Sequence, residues 1–150
     1  MPTAPATPTD HHAAVNRLVP FVHVADVGAS LAFYRHLGFT PRSTLHEPEG
    51  RPFWALAKSH AAEIILAQAS RPIDADQQAI LFYMYTPDVA ALRRRLLAHA
   101  VRDAGQYSGA AAPDDAPISA FTIAHPRHMP AGEMRVIDPD GYVILVGQLG

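Results

Sequence analysis

The side chains of this 150-residue chain that are equipped for chemistry gather in a few places. The segment His125-Pro126-Arg127-His128-Met129, followed by Glu133 and Arg135, brings imidazole, guanidinium and carboxylate groups into one short stretch. His125 and His128 are metal donors in principle, but two imidazoles supply only half of a tetrahedral shell. Glu133 and Arg135 have equal strand parity. Either they pair with each other, which on a surface is worth about 0–1 kcal/mol, or Arg135 holds an anionic ligand group. His23 lies in the apolar run VPFVHV. It is a hydrogen-bonded core histidine, or else a polar handle or general base whose charge changes near neutral pH. Tyr83 and Tyr85 alternate in AILFYMY. They are packing residues with a wet hydroxyl, or a stacking wall with a donor. Trp54, the single tryptophan, is equally a core residue or a stacking surface.

Composition removes several function classes. There is no cysteine, so disulfides, thiolate catalysis and thiolate metal sites are excluded. A net charge of −2 provides neither a field for nucleic acid nor a basic face for a membrane. The 49% apolar and 17% charged residues describe a globular chain long enough for one domain or two small modules. Residues 1–17, rich in Pro, Ala and Thr, read as a floppy tail with no secretory pattern, and the cytoplasm is the default compartment. His11 and His12 fall in that tail, where a specific site is rare. Arg93, Arg94 and Arg95 fan over about 200° of a helix at 3.6 residues per turn, so they read as a solvated surface.

These residues must be positioned by elements whose signals are clear. Val19–Val24 is a strand by its β-branched run. Asp26 caps a helix with Val27, Leu31, Tyr34 and Leu37 on one face, and Gly38 stops it. Strands are expected at Phe39–His46, Phe53–Lys58 and Glu63–Gln68. The pattern then restarts with a strand at Ala79–Tyr85 and a helix capped by Thr86 or Asp88, with Val89, Leu92 and Leu96 on one face. Further strands are expected near Val101–Gln106, Ile118–Ala124, Glu133–Ile137 and Tyr142–Val146. A strand, a capped helix and more strands, twice over, is an internal duplication. The expected division is a tail over 1–17, a first module over 18–70 and a second over 77–149, with an inserted loop of small residues at about 107–118. Asp138-Pro139-Asp140-Gly141 has the residues of a tight turn, with Gly accepting the left-handed conformation, and hairpin geometry accounts for it.

The two βαβββ units, the phrase ADVGASLAFYRHLGF (Ala25–Phe39) and the phrase MPAGEMRVIDPDGYVILVG (Met129–Gly147) resemble the vicinal oxygen chelate superfamily. This is the group of glyoxalase I, extradiol dioxygenases and fosfomycin and bleomycin resistance proteins. The resemblance spans residues 18–149 and is nearest to the glyoxalase/bleomycin-resistance-like branch. It implies an α+β fold of two βαβββ modules whose curled mixed sheets enclose a cavity. The family's metal enzymes carry their ligands on the concave faces, and the corresponding residues here are Val19, Ile65, Leu81 and Leu145. Aliphatic side chains have no donor for a divalent ion, so the expectation is a metal-free apolar cavity with no cofactor. In the same frame His23 shares parity with Val19 and Phe21, and Tyr83 and Tyr85 share it with Leu81. The ligand-binding candidates are therefore Phe21, His23, Trp54, Tyr83, Tyr85, His128, Met129 and Arg135, with no catalytic residue assigned. The implied function is binding of a small amphipathic, partly aromatic molecule by a homodimer, with neither nucleic acid nor membrane as partner. The alternative is a lyase or dioxygenase-type enzyme with a non-standard site.

Overall fold

Asp26 caps the first helix. Its side chain accepts the Ala29 N–H at 3.0 Å and so closes the first turn of helix α1 (Val27–His36). The structure is a computed structural model and describes residues 13–77, 80–109 and 118–150. His11, His12 and residues 110–117 of the expected loop lie outside them. Strands β1 (Phe21–Val24), β2 (Thr40–His46), β3 (Pro52–Ser59) and β4 (Ala62–Gln68) make a four-stranded sheet in the order β1-β4-β3-β2. Strand β1 runs parallel to β4, and the other pairs are antiparallel. Asp88 repeats the cap in the second unit, accepting Ala91 N–H at 2.9 Å at the start of α2 (Val89–Leu97). Strands β5 (Ile80–Tyr85), β6 (Arg102–Gly105), β7 (Ser119–Phe121), β8 (Glu133–Ile137) and β9 (Val143–Gly147) form the second sheet, ordered β5-β9-β8-β7-β6. Both sheets are mixed and open, and the fold is α+β.

Several boundaries differ from expectation. Strand β1 begins at Phe21 because Pro20 has no N–H for a ladder, although its carbonyl still accepts from Ile65 N at 2.9 Å. Strand β7 ends at Phe121, and Ala124 makes a separate bridge to Glu133. The buried side of α1 is Val27, Ser30, Phe33 and Tyr34, with Leu31 and Leu37 only partly buried. The stripe is rotated toward Ser30, a polar residue that apolar periodicity overlooks. Arg93 and Arg95 are not merely solvated. Arg93 donates to Phe121 O at 2.9 Å and to Asp103 at 2.7 Å, and Arg95 donates to His36 O at 2.9 Å. Strand β2 is an exposed edge whose pairing with β3 slips twice, between Pro41 and Ser43 and between Leu45 and His46.

Alternation along the strands separates two kinds of surface. Val22, Val24, Ala55, Ala57, Ile64 and Leu66 are buried beneath α1. Met134, Val136, Ile144 and Val146 are buried beneath α2, and all belong to one contiguous core with Phe33, Tyr34, Leu92 and Leu96. The intervening residues face the other way.

The two units are also joined by polar contacts at Asp138–Gly141. The Tyr34 hydroxyl donates to Asp138 Oδ2 at 2.8 Å, and Asp138 Oδ1 accepts the backbone N–H of Asp140 and Tyr142 at 2.9 Å each. Asp140 accepts Ala25 N–H at 2.9 Å and the Ser30 hydroxyl at 3.4 Å, and Tyr142 donates to His23 O at 2.8 Å. Hairpin geometry is therefore an incomplete account of these residues. Both aspartates are buried, and both reach the other unit. Gly141 has φ +85°, and a Cβ there would stand 2.7 Å from the Ala75 backbone, so no other residue fits without movement.

Burial pushes the Asp138 carboxyl up to about 6, against the hydrogen bonds from Tyr34, Tyr142 and Asp140, which pull it down. The folded chain therefore holds this proton to higher pH than the unfolded chain, where an Asp titrates near 3.9. The associated stability is present below about pH 4 and is lost as pH rises through about 6. Urea denaturation from pH 4 to 7 is expected to show the native chain losing stability relative to Asp138→Asn across that window. Parallel curves for the two proteins would contradict the assignment.

Candidate functional site

The faces turned away from the core carry most of the residues singled out above. In the first sheet Phe21 and His23 lie on β1 with their rings edge-on, centroids 5.3 Å apart, and Phe21 is 54% exposed. Trp54 and Leu56 are partly buried on β3, opposite in parity to Ala55 and Ala57. In the second sheet Tyr83 is 37% and Tyr85 61% exposed, their rings 5.3 Å apart, while Phe82 and Met84 pack against the core. The two units repeat one register: Phe21 pairs with Ile65 in the first, and Tyr83 pairs with Leu145 in the second. Ile65 and Leu145 thus occupy equivalent places on the open faces. Neither has a donor atom, so this floor does not fit the family's divalent ion. Val19 is partly buried ahead of β1, and the Leu81 side chain lies outside the described residues.

A missing side chain organises the second face. Strand pairing places Tyr83, Leu145 and Arg135 in one row and Tyr85, Gly147 and Glu133 in the next. A Cβ at Gly147 would lie 3.0 Å from the Tyr83 ring and 2.9 Å from the Met129 methyl. Tyr83 therefore crosses the glycine diagonally, and its hydroxyl donates to Glu133 Oε2. His128 Nε2 meets the same oxygen at 2.9 Å. Met129 is buried at 6% exposure against this layer, so it packs the face rather than presenting itself to solvent.

A pairing of Glu133 with Arg135, one of the two alternatives, gives way to this cluster. The Arg135 guanidinium instead lies 3.9 Å from the centre of the Tyr107 ring, which meets Phe121 edge-on. His125 turns its Nδ1 to Pro130 O at 3.0 Å, so the two histidines of the HPRHM segment go to different partners. Glu133 and Tyr107 were not among the binding candidates. The glycine two residues along β9 from Leu145 was the signal that Tyr83 had room to reach Glu133.

Charge in the cluster follows from these contacts. Burial would raise the Glu133 carboxyl, but hydrogen bonds from Tyr83 and His128 and the nearby His128 and Arg135 charges hold it below the ordinary range. Burial, together with the bond to Glu133 and its charge, pushes the Tyr83 hydroxyl up to about 12. The arrangement offers a carboxylate fixed by two donors beside two phenol rings tilted 37° to each other.

A cleft of about 1030 Å³ opens between the units, from the end of α1 and the β3–β4 turn to β5 and the start of α2. Of the eight binding candidates it takes Tyr83 and Tyr85. Phe21, His23, Trp54, His128, Met129 and Arg135 are not part of its lining. The residues expected to enclose one cavity are thus distributed over two open faces, with the β5 tyrosines shared by the cleft.

Residues 11–146 match the family described as the Glyoxalase/Bleomycin resistance protein/Dioxygenase superfamily. None of the curated proteins matches the chain. Among solved structures, the chain is similar to the bleomycin-binding protein of bleomycin-producing Streptomyces verticillus, complexed with copper(II)-bleomycin. Identity is 18%, with 91% of this chain and 100% of that one covered and a TM-score of 0.63. TnmS3, an antibiotic binding protein from Streptomyces sp. CB03234, is 19% identical, over 93% of this chain and 100% of that one, with a TM-score of 0.64. A glyoxalase-related enzyme from Clostridium phytofermentans is 11% identical, over 93% and 98% of the two chains, again with a TM-score of 0.64.

The Tyr83–Glu133 contact has a spectroscopic consequence. Replacing Glu133 by Gln removes the charge that opposes phenolate formation, so Tyr83 should ionise nearer the usual tyrosine value of about 10. Absorbance at alkaline pH, with Tyr83→Phe as reference, should show one tyrosine moving down in Glu133→Gln. An unchanged titration would mean that Glu133 does not accept this hydroxyl.

Proposed function

We propose that this chain, which belongs to the Glyoxalase/Bleomycin resistance protein/Dioxygenase superfamily, binds a small amphipathic, partly aromatic molecule on the open faces of its sheets, without a metal. The observation that carries this reading is the uncovered aromatic surface of Phe21, Tyr83 and Tyr85, held in fixed register with Ile65 and Leu145. Aromatic rings left in water on rigid strands are costly unless something covers them, and a planar apolar ligand gains from stacking there. Trp54 and Leu56 extend the apolar surface of the first sheet, and His23 on that sheet and Arg135 on the second supply polar handles. The similar bleomycin-binding and antibiotic-binding structures support the same class of ligand. Aliphatic Ile65 and Leu145 support a ligand gripped by contact rather than by coordination.

Planar aromatic compounds are expected to quench the single tryptophan saturably, and Tyr85→Ala should weaken binding by about 1–3 kcal/mol, as for loss of an aromatic contact. The absence of saturable quenching across a chemically broad panel would remove the binding reading. Recovery of a compound in altered form would replace it with the lyase or dioxygenase-type alternative.

The same open faces support a homodimer in which each copy helps to cover the other. Light scattering at tens of micromolar should give a mass twice 16.2 kDa. A mass of 16.2 kDa throughout that range would exclude the dimer.

A further inference from the structure

The cleft between the units is built differently from the open faces. Its lining includes the exposed Leu18 and the partly buried Leu37, Phe82 and Met84, from both units. Its rim carries charge that is unevenly committed. Glu63 is ion-paired with Arg17, and Asp88 uses Oδ1 to cap α2. Among the described residues Arg95 donates its Nε to His36 O, and its terminal nitrogens have no partner. The Lys58 ammonium has no hydrogen bond or ion pair among the described residues. The cleft thus has an apolar wall, and its rim holds one ammonium without a partner among the described residues.

We propose that this inter-unit cleft is a second binding site, for an amphipathic monocarboxylate whose apolar body rests on Leu18, Leu37, Phe82 and Met84 and whose carboxylate meets Lys58. The volume suits such a molecule, since small-ligand sites commonly span about 300–1,000 Å³. Charge complementarity sets the sign of the head group, because a carboxylate at an unpaired ammonium forms a charge-assisted hydrogen bond. Asp88 on the same rim opposes a dianion such as a phosphate monoester, which favours a single negative charge. An amine would meet Lys58 and Arg95 and be repelled. The site is independent of the open-face reading except for Tyr83 and Tyr85.

The test is calorimetric titration of the full chain with dodecanoate below its micellar concentration, with dodecylamine as the opposite-charge arm. One dodecanoate per chain is expected. Lys58→Met should weaken it at least about tenfold, Lys58→Arg should retain it, and Ala91→Phe, which places a ring in the cleft, should abolish it. Arg135→Met, on the open face, should bind as the native chain does. Dodecylamine should give no saturable heat. The proposal is overturned by absence of dodecanoate binding, by equal binding of the amine, or by undiminished binding in Lys58→Met. It is equally overturned if Arg135→Met loses the acid, which would place it on the open face. Tryptophan quenching by planar compounds is read separately in each protein, so the two sites fail independently.

Discussion

A carboxylate removed from water governs the rest of this structure. Asp138 is fully buried, and such a group is costly unless its lone pairs are occupied. Three donors occupy them. Two are backbone N–H groups of its own turn, and the third is the Tyr34 hydroxyl from the other unit. Tyr34 is itself fully buried, and its hydroxyl is held strongly toward the neutral form by burial and by the Asp138 charge. A hydrogen bond to a charged group contributes about 1.5–3 kcal/mol, and its loss would leave the carboxylate short of a partner. Asp140 repeats the logic with Ala25 and Ser30. The relative placement of the two units is therefore set by directional bonds as well as by their shared apolar core.

That placement decides what each sheet exposes. With α1 and α2 on the core side, Phe21, Tyr83 and Tyr85, of the opposite parity, are left exposed. On the second face Gly147 then acts as a gap through which Tyr83 reaches Glu133, and Met129 fills the space above. The result is a shallow, stiff surface in which rings, a fixed carboxylate and a cation over Tyr107 hold set positions. The cleft obeys a different rule, since it exists because two curved units meet imperfectly where their helices and edge strands come together.

Much of this was legible in the sequence, for physical reasons that also explain the rest. Strand parity put Tyr83 and Tyr85 opposite Phe82 and Met84 because alternation follows from backbone geometry alone. Asp26 declared the first helix start, and Thr86 or Asp88 bracketed the second, because a cap is a local interaction. The role of Asp138 was not legible as anything beyond a turn, because its decisive partner is Tyr34, far away in the chain and unmarked by any local signal. Ser30 hid the true buried side of α1 for the same reason. Arg93 and Arg95 looked like solvated charges because sequence does not show which carbonyls a neighbouring element leaves unpaired. Phe21, His23, Tyr83 and Tyr85 have the parity read from the sequence, but parity could not say that those faces and the cleft would be different places.

Strand β2 carries a consequence for how copies of this chain meet. A free strand edge is a template for adding another strand, and long flat edges lead to fibrils. Here the edge is interrupted by two register slips, and Pro41 deletes a donor just before the first. Another chain could not zip along it over more than a few residues. Misassembly by edge-to-edge growth is thus resisted by the backbone itself, whatever the side chains on either face attract.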